Sequence, residues 1–84
     1  MLTIRFFSLL REALNVDTMN LDWDTGYGSV EELKRSLIAS GGVLWEEQLT
    51  HPNIIHAVNQ VVVNPEHSRQ DGDEIAFFPP MTGG

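Results

Sequence analysis

The chain contains no cysteine, which removes a disulfide framework, a thiol nucleophile and a thiolate metal site together and fits a reducing, cytoplasmic setting. It also lacks a long apolar run. No segment could span a bilayer, and the opening Met1-Leu2-Thr3-Ile4-Arg5 has neither the charged start nor the continuous apolar stretch of a signal peptide. Basic residues are few: five Lys and Arg stand against twelve Asp and Glu, a formal charge of −7 spread along the chain. Such a surface repels phosphate backbones, which argues against nucleic-acid binding, and suits docking to basic partners. Chemistry-bearing motifs are missing as well. No serine sits in a nucleophile elbow, and Gly26-Tyr27-Gly28 is too short and wrongly placed for a phosphate loop. His51, His56 and His67 share no ligand spacing and read as scattered surface histidines. Asp71, Asp73 and Glu74 lack the calcium-loop pattern and read as turn chemistry around Asp71-Gly72. No metal site is expected.

What is present, 84 residues of which 42% are hydrophobic, suffices for one small core but not for an enclosed active site with a second lobe. Leu2, Ile4 and Phe6 alternate with Thr3, Arg5 and Phe7, as in a strand with one buried face. Leu9, Leu10, Ala13 and Leu14 fall at helical spacing, so a short helical turn should cap one end of the core. Alternation returns at Met19, Leu21 and Trp23, followed by a turn over Asp24 to Gly28. Ser29-Val30-Glu31-Glu32 has the form of a capping box and predicts a helix start. Val30, Leu33, Leu37 and Ile38 make its apolar stripe, its charges read as a solvated face, and Gly41-Gly42 ends it. Val43 to Pro52 reads either as a helical turn or as an irregular loop. Two short strands, Ile54 to Val58 and Val61 to Val63, flank Asn59-Gln60, and the Asp71-Gly72-Asp73 turn feeds a last strand, Glu74 to Phe78.

This order predicts an α+β fold of the β-grasp, ubiquitin-like kind: a mixed sheet of four to five strands with one main helix packed on one face. The first and last strands should lie parallel at its centre. Residues 1–80 form the expected domain and 81–84 a flexible Gly-Gly tail. Adjacent strand residues point to opposite faces, so if Ile4, Phe6, Ile75 and Phe77 are inward, then Phe7 and Phe78 point outward. Val61 and Val63 inward would likewise expose Val62. The expected result is an apolar patch of Phe7, Val62 and Phe78, with Pro79 and Pro80 beside it, at the root of the tail. The tail itself, Met81-Thr82-Gly83-Gly84, ends in a glycine pair that can enter a channel too narrow for a branched residue. The terminal carboxylate of Gly84 is then the candidate reactive group. A frayed end is the bland alternative.

Asp71-Gly72-Asp73-Glu74-Ile75-Ala76-Phe77-Phe78-Pro79-Pro80-Met81-Thr82-Gly83-Gly84 resembles the small subunits of molybdopterin synthases, within the MoaD/ThiS sulfur-carrier family. Ala57-Val58-Asn59-Gln60, Ile4-Arg5-Phe6-Phe7 with Arg11-Glu12, and Val30-Glu31-Glu32-Leu33 extend the resemblance over essentially the whole length. Arg69 departs from it, standing where the family usually has an apolar residue. The resemblance implies a carrier with no cofactor of its own and no independent catalysis. Gly84 would be adenylated by an ATP-dependent, ubiquitin-activating-like adenylyltransferase, converted to a thiocarboxylate, and inserted into the synthase large subunit, where its sulfur attacks cyclic pyranopterin monophosphate. The implied assembly is a heterotetramer. The Phe77-Phe78-Pro79-Pro80 segment disfavours a carrier for thiamine synthesis or tRNA thiolation. A ubiquitin-like modifier of lysines and a plain interaction domain are the remaining alternatives.

Overall fold

The computed structural model describes residues 1–22, 28–52 and 54–79. Eight elements follow in order: β1 (Leu2–Phe6), α1 (Ser8–Leu14), β2 (Thr18–Leu21), α2 (Val30–Gly41), α3 (Val43–Leu49), β3 (Ile55–Val58), β4 (Val61–Val63) and β5 (Glu74–Phe78). The strands form one mixed sheet in the order β2-β1-β5-β3-β4. β5 therefore lies at the centre, parallel to β1 with Ile4 opposite Ile75 and Phe6 opposite Phe77, while the other pairings are antiparallel. This is the expected β-grasp, with three helices where one main helix and a short turn had been expected. Trp23 and the Asp24–Tyr27 part of the proposed turn lie outside the described residues. Among the described residues, no helix is long and apolar enough to cross a membrane.

Period-two alternation builds the core. Leu2, Ile4 and Phe6 from β1, Ile75 and Phe77 from β5, and Val58 from β3 are buried on one face against Val30, Leu33 and Leu37 of α2, Leu10 and Leu14 of α1, and Leu49 of α3. Full burial of each large apolar side chain contributes roughly 1.5–3 kcal/mol relative to exposure. Phe6 stacks on Phe77 at 5.7 Å and meets the edge of Trp45 at 5.4 Å. The open choice at Val43 to Pro52 thus resolves as helix, because α3 brings Trp45 and Leu49 onto the core. A Cβ at Gly41 would lie 2.2 Å from the Trp45 ring, so this close approach of α2 and α3 requires glycine.

The start of α2 follows its capping signal. The Ser29 hydroxyl accepts the Glu32 N–H at 3.2 Å, and the Glu32 carboxylate reaches back past Ser29 to the Gly28 N–H at 3.0 Å. Carbonyls of His67 and Pro65 accept the N–H groups of Val30 and Glu31. Arg69, in the same loop, is a buried side chain whose Nε donates to the Ser29 carbonyl at 2.8 Å. Between β3 and β4, Asn59 and Gln60 both take positive φ, the two-residue hairpin conformation that matches strand twist. The Asn59 side chain donates to Asp73 and accepts the Glu74 N–H, which fixes the start of β5.

Four expectations need correction. His56 is no surface histidine; it is 5% exposed, on the core face of β3, with its ring edge-on to Phe77. Lys34 does not belong to a solvated face; it is 8% exposed, its Nζ 3.3 Å from His56 Nε2 and 3.4 Å from Glu31. Val61 shares the core side by its register with Val58 but sits on an edge strand beyond helix cover and is 63% exposed. Leu9 turns away from the core that Leu10 and Leu14 enter.

The Lys34–His56 contact has a consequence for acid stability. Burial, then the Lys34 ammonium, push the His56 ring down from 6.5 to about 4, with Glu31 pulling weakly the other way. The native ring is therefore neutral and accepts the Lys34 proton donor. In the unfolded chain it binds a proton below about pH 6.5, so stability is fully present above that value and falls as pH drops toward 4. The loss across this window is roughly 3 kcal/mol. His56→Gln, which keeps an acceptor for Lys34 but cannot titrate, should flatten this part of the profile by a similar amount. Urea midpoints at pH 4.5 and 7 for both proteins check it, and parallel slopes would refute it.

Candidate docking groove and tail root

The sheet face away from the helices is open. β5 contributes Glu74, Ala76 and Phe78 to this face, and the register sets Ala76 beside Arg5 on one side and Ala57 on the other, with Val62 next to Ala57. Small side chains on the two inner strands make a floor. Larger ones around it make a groove of about 230 Å³ lined by Arg5, Phe7, Ala57, Gln60, Val62, Glu74, Ala76 and Phe78. Phe7 and Phe78 stack at 4.5 Å with their planes 9° apart, and Val62 is 72% exposed on the opposite strand.

Charge enters this apolar surface at one side. The Arg5 guanidinium lies 4.8 Å over the Phe7 ring and 3.9 Å from the Glu74 carboxylate, so its plane covers an aromatic face while its charge is partly matched. The pair is well exposed and contributes little to stability.

The structure brings Phe7, Val62 and Phe78 around one groove, as their outward positions required. Pro79, half-buried, follows Phe78 directly. Pro80, Met81, Thr82, Gly83 and Gly84 lie outside the described residues. Sequence reasoning missed the groove's floor and its polar side. Ala57 and Ala76 could have been found as the outward neighbours of Val58 and of Ile75 and Phe77, where a small residue on a central strand leaves a depression. Arg5 could have been found as the outward residue between Ile4 and Phe6. What this arrangement offers chemically is a recognition surface at the end of a central strand, with an apolar aromatic pair beside the point where the chain leaves the sheet.

The ThiS family matches residues 4–84. The chain is 38% identical to the molybdopterin synthase sulfur carrier subunit of Haemophilus influenzae and 37% identical to that of Escherichia coli, in each case over 84 residues and the whole of both chains. Its fold is similar to that seen in the protein-protein complex of subunits 1 and 2 of the molybdopterin-converting factor from Helicobacter pylori, with a TM-score of 0.64 at 21% identity, covering 99% of this chain and 97% of the other. A family match over nearly every residue, with relatives aligned from end to end and a common β-grasp, has one meaning: the chain belongs to the ThiS family.

Proposed function

We propose that this chain is the sulfur-carrier subunit of a molybdopterin synthase and serves molybdenum cofactor biosynthesis in the cytoplasm. The observation that carries the reading is full-length identity of 37–38% to two sulfur carrier subunits of that synthase. The geometry supports it: β5, held between β1 and β3, leads to Pro79 beside an apolar groove, a rigid base for a reactive tail.

The tail's chemistry is that of an acyl carrier. A carboxylate resists nucleophiles, so Gly84 first attacks the α-phosphate of ATP on an adenylyltransferase, releasing pyrophosphate and forming an acyl-adenylate. A sulfur donor displaces AMP from that mixed anhydride and leaves a thiocarboxylate. The loaded tail then enters the synthase large subunit, where its sulfur attacks the cyclic pyranopterin monophosphate precursor. Water cleaves the acyl–sulfur bond and returns Gly84 as a carboxylate. Proton transfer and substrate binding belong to the large subunit, so this chain is a cosubstrate and catalyses nothing alone. The groove, with Phe7, Val62, Phe78 and Pro79, is the docking face, and two carriers with two large subunits form the working heterotetramer.

Intact mass spectrometry of the protein from its own host tests the reading. Exchange of oxygen for sulfur at the terminal acyl group adds about 16 Da, confined to the last peptide. A tail that never carries sulfur in cells making active molybdoenzymes would overturn it.

A further inference from the structure

β1 ends abruptly. Ser8 takes a φ of 54°, a left-handed conformation that a non-glycine residue adopts at a cost of about 1 kcal/mol, and this turn starts α1 at once. Leu10 and Leu14 then enter the core, while Leu9 stays 68% exposed. Its place in the fold is specific. Because β1 and β5 run parallel, α1 begins at the end of the sheet where β5 finishes, and the Phe7 N–H donates to the Phe77 carbonyl at 3.2 Å. Leu9 thus stands two residues from the groove residue Phe7, at the end where the chain departs through Pro79. It is also fixed there: the Leu10 N–H donates to the Phe7 carbonyl at 3.2 Å, and Leu9 cannot withdraw without pulling Leu10 from the core.

We propose, resting on the groove as the docking face, that Leu9 continues that face around the tail root and packs on an apolar rim of the large subunit's tail channel. Of the two segments at this end of the sheet, Leu10 and Phe77 are buried, while Phe7, Ser8, Leu9, Phe78 and Pro79 reach the surface as an uncharged collar, with Arg5 and Arg11 flanking it in sequence. A second copy of this chain is a poor occupant, since each copy carries −7. A strained turn that holds a leucine outward at the end of the sheet where the chain leaves β5 is instead suited to a partner that must take in the tail and seal the entrance behind it.

The test is calorimetric titration of the full chain and its variants into the purified large subunit, with thermal melting in parallel. Leu9→Ser should weaken binding about tenfold, the effect of losing one leucine's burial, and leave the melting midpoint unchanged. Leu9→Met should restore binding. In single-turnover sulfur transfer with thiocarboxylated carrier, the loss should appear in the concentration needed for half-maximal rate and not in the maximal rate. Affinity of Leu9→Ser within twofold of the parent, while Phe78→Ser binds weakly, overturns the collar and leaves the groove intact. Normal binding by both variants overturns the docking face itself.

Discussion

Deletion of Gly84 is expected to abolish sulfur transfer completely while leaving the folded domain as stable as the parent. The carboxylate that must be adenylated would then sit on Gly83, one residue short, about 3.5 Å in an extended chain. A misplacement of even 1 Å at a reacting centre can cost a hundredfold in rate, so a shift of this size removes the reaction. Gly84→Ala tests a different property. It keeps the reach but adds a Cβ to a residue that, on the proposed reading, must enter a narrow channel, and it should likewise reduce transfer to background. Among the described residues the core runs from Leu2 to Phe77 and is complete without Gly84, so thermal melting of both variants should match the parent. Sulfur transfer is measured by formation of molybdopterin from its precursor with the large subunit, ATP, the activating enzyme and a sulfur donor. Transfer at the parent rate by either variant would mean that the terminal acyl group is not the carrier.

The sequence made the scaffold of this site readable because each principal element combines a local signal with a periodic one. Ser29 and Glu32 mark the start of α2, and Val30, Leu33 and Leu37 repeat at helical spacing toward the core. Ile4, Phe6, Ile75 and Phe77 alternate with outward residues, which is why Phe7 and Phe78 could be placed on the open face from sequence. Where reading failed, the missing information was tertiary. Gly41-Gly42 ends α2 as its sequence indicates, but that Gly41 also lets Trp45 of α3 approach closely depends on a packing contact no local signal carries. Lys34 lies four residues after Val30 and so on the apolar stripe, but only the facing His56 shows why a lysine is tolerated there. His56 itself occupies an inward position two residues before Val58; a histidine in that position is easily passed over. Val61 was misplaced because alternation gives the side of a sheet and not whether anything covers its edge. The groove's floor escaped notice because Ala57 and Ala76 matter through their small size.

Phe78→Ser should separate docking from folding more sharply than any other substitution in the groove. Phe78 is half-buried on the outward side of β5, opposite Ile55, and its ring contacts Phe7 at 4.5 Å. Serine forfeits that aromatic pair, about 0.5–1.5 kcal/mol, together with part of the ring's burial, while Phe77 on the core side keeps its packing. In the complex the same ring would be an aromatic anchor near the centre of the interface, beside the tail. Truncating such an anchor costs about 2 kcal/mol or more, roughly a thirtyfold loss of affinity. Losing the stack should also release Phe7, leaving Arg5 with Glu74 alone, so a double substitution with Phe7→Ser should weaken binding by less than the sum of the two single effects. Titration calorimetry against the large subunit, set beside urea unfolding, decides the matter. A variant that binds normally but unfolds several kcal/mol more easily would place Phe78 in the service of the fold, and the groove would then lack its anchor.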